Sequence, residues 1–340
     1  MIETQTNFSL RDYNTMQVEV QSGYFIEINT LNDLKELLVS KNYQSPLYIL
    51  GGGSNVLFLQ DFKGTILYIN ILGREVVKED ETHVWVKANA GENWHEFVMY
   101  TLQNDFGGLE NLSLIPGKVG ASPMQNIGAY GVEIKDNFVE LEAIEIETGE
   151  LRTFSHAECK FGYRESVFKN DLKGQYIITS VTFKLTKNYH EVKTSYGAIQ
   201  AQLEEMGIKK PSIQEVSQAV ISIRESKLPN PKEIPNTGSF FKNPTIMNEE
   251  YMLLQRDFAD IPGYPVEDGR TKVPAGWLIE KSGWKGFRNE KVGVHERQAL
   301  VLINHNQGSG QDVYDLSEQI LRDVMEKFGI ELEREVNIIA

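Results

Sequence analysis

The stretch from Ile115 to Gly131 constrains this chain more than any other. It sets Gly117, Gly120, Gly128 and Gly131 among Pro116, Ser122, Pro123, Gln125 and Asn126, with apolar Val119, Met124 and Ile127 between them. That density of glycine and proline breaks any continuous helix or strand. The apolar and amide residues argue against a disordered tract, so a long functional loop is expected. A second glycine segment, Gly51-Gly52-Gly53-Ser54-Asn55, directly follows Leu47-Tyr48-Ile49-Leu50, which reads as a short buried strand. Glycine permits positive φ and close backbone approach, so successive N–H groups can converge on an anion. Ser54 and Asn55 add side-chain donors. The segment has neither the Rossmann spacing nor a following Gly-Lys-Ser/Thr. Alone it could be a tight turn. Two such loops on one chain suit a dinucleotide with a flat ring system, one loop for the pyrophosphate and one for the ring.

The chain has 340 residues, enough for two or three domains. Its 41% hydrophobic and 24% charged residues fit a soluble globular protein. No apolar run approaches the roughly 18–20 residues that span a bilayer. Met1-Ile2-Glu3-Thr4 has no secretory character. A cytoplasmic protein without a membrane partner is expected. The net charge of −14 argues against nucleic acid as a partner. It leaves room for an anionic small molecule held by a few placed donors. Cys159 is the single cysteine, so no internal disulfide or thiolate cluster can form, and it reads as a small, half-buried apolar residue. His95-Glu96 and His295-Glu296 lack a second histidine four residues after the first, and no metal site is assigned.

Three segments are expected: 1–70, 71–209 and 210–330, with the strand-like 331–340 joining the first. In the first segment Thr30 can cap a helix whose apolar face is Leu34, Leu37 and Leu38. The second holds alternating strands such as Val84-Trp85-Val86 and Leu141 to Ile146, and a helix with Trp94, Phe97, Val98, Thr101 and Leu102 on one face. The third opens with a Ser212/Glu215 capping box before the stripe Ile213, Val216, Val220 and Ile223. A Pro/Gly loop follows through Pro229, Pro231, Pro235, Gly238 and Pro244. A last helix carries Val313, Leu316, Ile320, Val324 and Phe328.

The pairing of Leu50–Asn55 with Pro-Gly-x-Val-Gly-Ala-x-Pro-x-Gln-Asn-Ile-Gly-Ala-Tyr-Gly resembles the UDP-N-acetylenolpyruvoylglucosamine reductases. Further blocks agree in order: Phe161 to Ser166, Lys227-Leu228-Pro229, Gly238 to Pro244, Ala275 to Glu280, and Gln298 to Val301. Tyr196-Gly197 is similar to the tyrosine-bearing loop of one family subtype. The resemblance implies an α+β chain. It would combine a two-subdomain FAD-binding fold of the vanillyl-alcohol-oxidase type (1–70 and 71–209) with a third α+β substrate-binding domain (210–330). It implies non-covalent FAD, NADPH as reductant, and a sugar-nucleotide substrate carrying an enolpyruvyl group. A monomer is expected.

The same resemblance assigns the site. Gly51, Gly52, Gly53, Ser54, Asn55, Gly117, Gly120, Ser122, Gln125, Asn126 and Ile127 would line the cofactor. Tyr196, Lys227, Asn243 and Gln298 would bind substrate, with Tyr196 and Lys227 on its diphosphate. Ser239 would donate a proton to an enolate-like intermediate, a transfer open to a weak acid facing a strong base. Arg164 would hold the substrate carboxylate. Glu335 would share a proton with that carboxylate or the intermediate, with Glu333 as its decoy. The chain departs from the family at Asn337, where an arginine is usual. Two readings stay open beside this one. One is an FAD oxidase or dehydrogenase of the same fold, and the other is a non-catalytic nucleotide-binding protein that keeps only the cradle.

Overall fold

The computed structural model describes residues 2–340. The chain divides into two compact units. The first holds the residues up to Phe8, then Ser22–Gly52 and Lys63–Ser226; the second holds Ser9–Gln21, Gly53–Phe62 and Lys227–Ala340.

In the first unit, β1 (Thr4–Ser9), β2 (Gln21–Ile28), β3 (Leu47–Leu50) and β5 (Phe62–Ile69) form a sheet in the order β1-β2-β5-β3; β4 (Val56–Phe58) belongs to the second unit. Helix α1 (Leu31–Ser40) starts where the Thr30 hydroxyl accepts the Asp33 N–H at 3.0 Å. Its Leu34, Leu37 and Leu38 are buried with Ile26, Ile28, Leu67 and Ile69. A second sheet is antiparallel, in the order β11-β10-β12-β7-β6. It comprises β6 (Arg74–Glu79), β7 (His83–Asn89), β10 (Phe138–Glu145), β11 (Leu151–Ser155) and β12 (Tyr176–Thr186); β8 (Gly128–Ala129) and β9 (Val132–Glu133) pair separately. Helix α2 (Trp94–Gln103) is capped by Asn93 and lays Trp94 edge-on against Phe183 at 5.8 Å. Cys159 is fully buried in this core rather than half-buried. Burial pushes its thiol up to about 12.

Helix α4 (Ile213–Lys227) has the expected Ser212/Glu215 box, but all of it up to Ser226 belongs to the first unit, not to a third segment starting at 210. The reason is packing. Val216, Val220 and Ile223 are buried against Ile199 and Leu203 of α3 (Gly197–Glu205).

The second unit contains β13 (Asn236–Ser239), β14 (Thr245–Met247), α5 (Asn248–Asp257), β15 (Tyr264–Val266), β16 (Arg270–Lys272), α6 (Ala275–Lys281), β17 (Val292–Val294), β18 (Val301–Asn304), α7 (Gly310–Phe328) and β19 (Asn337–Ile339). Sheets run β13-β18-β17 and β14-β16-β15, and β19 pairs parallel to β4. Helix α7 opens on a Ser309/Asp312 box and buries Val313, Leu316, Ile320, Val324 and Phe328, the expected stripe. The Pro/Gly segment is not loop throughout, because Asn236–Ser239 pairs with β18. The strand expected over 331–340 is confined to Asn337–Ile339. Its partner β4 lies within residues 1–70, yet both strands are part of the second unit. Among the described residues, no helix is long and apolar enough to cross a membrane.

Candidate active site

Gly51 and Gly52, the part of the shorter glycine segment that lies in the first unit, meet the longer loop there. A Cβ on Gly52 would lie 2.7 Å from the Gly117 Cα, so only hydrogen at this position allows the loops to touch. On the next residue, φ is +62° and a Cβ would fall 1.9 Å from the Tyr13 carbonyl oxygen, which fixes Gly53 for a second reason. Among the described residues, the backbone N–H groups of Gly52, Gly53 and Ser54 donate to no protein atom. Three consecutive donors in a glycine turn are what a diphosphate requires. The residues present therefore fit FAD.

The longer loop is tied down by its neighbours. Trp94 N–H donates to Gly117 O (3.1 Å), Val119 N–H to Glu92 O (2.9 Å) and Gly120 N–H to Ala90 O (3.0 Å). Lys118 turns inward: its ammonium donates to Ile69 O at 2.7 Å and Asn70 Oδ1 at 3.2 Å, over the Tyr68 ring. Burial pulls it down to about 8. Several residues expected on the cofactor are thus engaged in holding the loop. Gly120 gives its N–H to Ala90. Ser122 donates its hydroxyl to Val119 O at 2.7 Å. The Asn126 amide donates to Glu133 Oε2 and Gly162 O, each at 3.0 Å, while its Oδ1 accepts from Lys135 N–H. Ile127 packs on the core, and Gln125 sits half-buried on the same loop.

Arg164 also belongs to the first unit. Its Nη2 donates to Gly128 O of this loop at 3.0 Å. Near it lies Arg224 of α4, which donates from Nε to Leu114 O (3.3 Å) and hydrogen-bonds Tyr130. Desolvation lowers the Arg224 pKa; Tyr130 opposes the shift and the Arg164 charge adds to it. The ring of Tyr130 meets that of Tyr196 edge-on at 5.4 Å. Leu114, Asn126, Tyr130 and Arg164 all have φ between 44° and 60°. Strain of this kind collects at ligand sites. Two guanidiniums and two phenols in one place can hold an anion. Tyr130 was part of the recognised loop without a role, and Arg224 was missed altogether. It follows Val220 by four residues, so a cation on the apolar stripe of α4 was the available signal.

The second unit brings Ser239 and Glu335 together through backbone. Ser239 ends β13 opposite Val301, and Phe240 N–H donates to Leu300 O at 2.8 Å. Glu335 N–H donates to Phe240 O at 2.8 Å, and Phe241 bridges Arg334. Buried Phe240 and Phe241 anchor this crossing. Glu333, the decoy, is 70% exposed and paired with Lys242. Asn243 accepts the Ala275 N–H with Oδ1 at 2.9 Å, so it caps α6. Half-buried Gln298 accepts the Leu300 N–H at 3.3 Å. Exposed Lys227 is the last residue of α4, where a cation also complements the helix dipole. Asn55 donates from Nδ2 to Glu335 O at 3.2 Å.

Comparison with known proteins identifies the family. A model of the UDP-N-acetylenolpyruvoylglucosamine reductase C-terminal domain matches residues 230–339, and an FAD-binding-domain model matches residues 12–155. The reductase of Flavobacterium johnsoniae is 51% identical over 338 residues, covering 99% of this chain and 100% of its own. That of Chromobacterium violaceum is 45% identical over 340 residues, with 99% of both chains covered. The crystal structure of the Thermus caldophilus reductase superimposes with a TM-score of 0.65 over 100% of this chain and 99% of its own, at 22% identity, and so shares the fold. On these matches the chain belongs to the UDP-N-acetylenolpyruvoylglucosamine reductase family of FAD-dependent oxidoreductases.

Proposed function

We propose that the protein reduces the enolpyruvyl ether of UDP-N-acetyl-3-O-(1-carboxyvinyl)glucosamine to UDP-N-acetylmuramate, with NADPH as the source of electrons, in peptidoglycan precursor synthesis. The observation that carries this reading is the backbone crossing that sets Glu335 beside Ser239, on a chain whose glycine turn also presents three unspent N–H donors. Held on the N–H groups of Gly52, Gly53 and Ser54, FAD would supply the redox chemistry that links NADPH oxidation to reduction of the enolpyruvyl double bond.

The protein's own residues manage the charge that this leaves. Arg164 orients the substrate carboxylate and draws negative charge toward it. Ser239 Oγ gives its proton to the neighbouring carbon, completing addition of one hydride and one proton across the double bond. Glu335 supports the same proton transfer, sharing a proton with the carboxylate end. Tyr196, Lys227, Asn243 and Gln298 hold the sugar nucleotide, and Arg224 supplies a further cation for it.

Anaerobic mixing tests the reading. The purified protein should be yellow, bleach with NADPH and recover its colour with the enolpyruvyl substrate. A colourless protein that takes up no FAD would support the plain nucleotide-binding alternative. Recovery with a ketone or aldehyde and not with the enolpyruvyl ether would support the oxidase alternative.

A further inference from the structure

The backbone of Glu335 is held from two sides in the second unit. Its N–H goes to Phe240 O, next to Ser239, and its carbonyl accepts the Asn55 Nδ2 at 3.2 Å. Asn55 is itself gripped by Asn337. Its carbonyl oxygen takes both the Asn337 N–H at 3.1 Å and the Asn337 Nδ2 at 2.9 Å. Asn337 thus clasps the Asn55 carbonyl with two donors at the start of the parallel pairing of β4 with β19. One end of the clasp is the last residue of the glycine turn, and the other is the first residue of β19, two residues after Glu335.

We propose that Asn337 is a positioning residue for Glu335: its side-chain amide locks Asn55, and Asn55 sets the depth at which the Glu335 carboxyl is presented for proton transfer. The inference rests on the reading of Glu335 given above. The pairing of β19 with β4 does not need this amide, because the Asn337 N–H alone continues the ladder. An exposed side chain spent on an already bonded carbonyl adds little to the fold, yet it removes freedom from Asn55, whose own amide reaches Glu335.

The test uses FAD-loaded protein and follows the two half-reactions separately. Asn337→Leu keeps the side-chain bulk and the backbone bond but deletes the donor. Flavin retention and reduction by NADPH should match wild type. Reoxidation by the enolpyruvyl substrate should slow by roughly 3- to 10-fold, the worth of about one hydrogen bond, and its pH profile should move. Asn337→Gln, which keeps an amide at an exposed position, should recover most of the rate. Two results would overturn the proposal: reoxidation of Asn337→Leu superimposable on wild type at every pH, or equal losses in both half-reactions, which would mark a purely structural role. Failure of the wild type to hold FAD or to be reoxidised by that substrate would instead remove the functional reading itself.

Discussion

The contact between the glycine turn and the longer loop can be tested one atom at a time. Gly52→Ala adds a Cβ at 2.7 Å from the Gly117 Cα, whereas ordinary contact begins near 3.4 Å. One backbone must therefore retreat by about 0.7 Å, and neither partner is the free end of a flexible side chain. Overpacking of this kind costs about 1–3 kcal/mol. The free protein relieves it by parting the loops, and FAD then has to bring them back. Affinity for FAD should fall by roughly 5- to 150-fold. Gly51→Ala is the internal control, since its Cβ would meet only the Ala121 Cβ at 3.6 Å. Flavin retained per chain after gel filtration, followed by titration of the stripped protein with FAD, measures both variants, and melting of the stripped forms separates strain from ligand contact. Gly52→Ala should melt lower than Gly51→Ala and lose more flavin. Equal melting of the two stripped variants, with wild-type flavin retention in Gly52→Ala, would refute the steric argument.

Three further outcomes follow from the same geometry. Ser239→Ala should keep flavin reduction by NADPH and lose reoxidation by substrate; stopped-flow traces of the two half-reactions decide it, and wild-type reoxidation would take Ser239 out of the mechanism. Lys118 has its folded-state pKa pulled from 10.5 to about 8, so between those values the unfolded chain binds the extra proton and stability rises with pH. The gain is of order 3 kcal/mol across that window, and the difference in denaturant stability between wild type and Lys118→Met should rise with pH by that amount, since the opposing contribution of the Cys159 thiol is common to both. Arg224→Gln should raise KM for the sugar nucleotide by roughly 10-fold or more, as expected for a lost charged hydrogen bond, with flavin reduction preserved; an unchanged KM would leave Arg224 as scaffold.

Local chemistry made much of this legible in the sequence. The Thr30 and Ser212 caps and the α7 stripe are decided within one or two turns of chain, and each is present. Partnership was not legible. The periodicity of α4 shows that one face is buried but not which body buries it, and its apolar residues turned out to pack on α3. Asn236–Ser239 has no alternating pattern and becomes a strand only because β18 pairs with it. In the glycine-rich loop the residue types were read correctly as special, yet residue type does not separate a ligand contact from a loop fastener. Asn126 spends both ends of its amide on Glu133, Gly162 and Lys135, partners that only the fold brings together.

A chain with a net charge of −14 that handles anionic molecules looks contradictory only if charge is summed over the whole surface. Surface carboxylates beyond a Debye length of about 8 Å are largely screened. What decides binding is the few donors already stripped of water. In the first unit those are the half-buried Arg164 and Arg224, close enough for each to feel the other's charge. Lys118, on the same long loop, does not join them, because its ammonium faces the carbonyl of Ile69 and the amide of Asn70. Two like charges that share a desolvated place raise each other's cost, and an anion between them lowers it for both. The same desolvation that depresses Arg224 therefore favours a carboxylate or diphosphate over water at this place, whatever the sign of the surface around it.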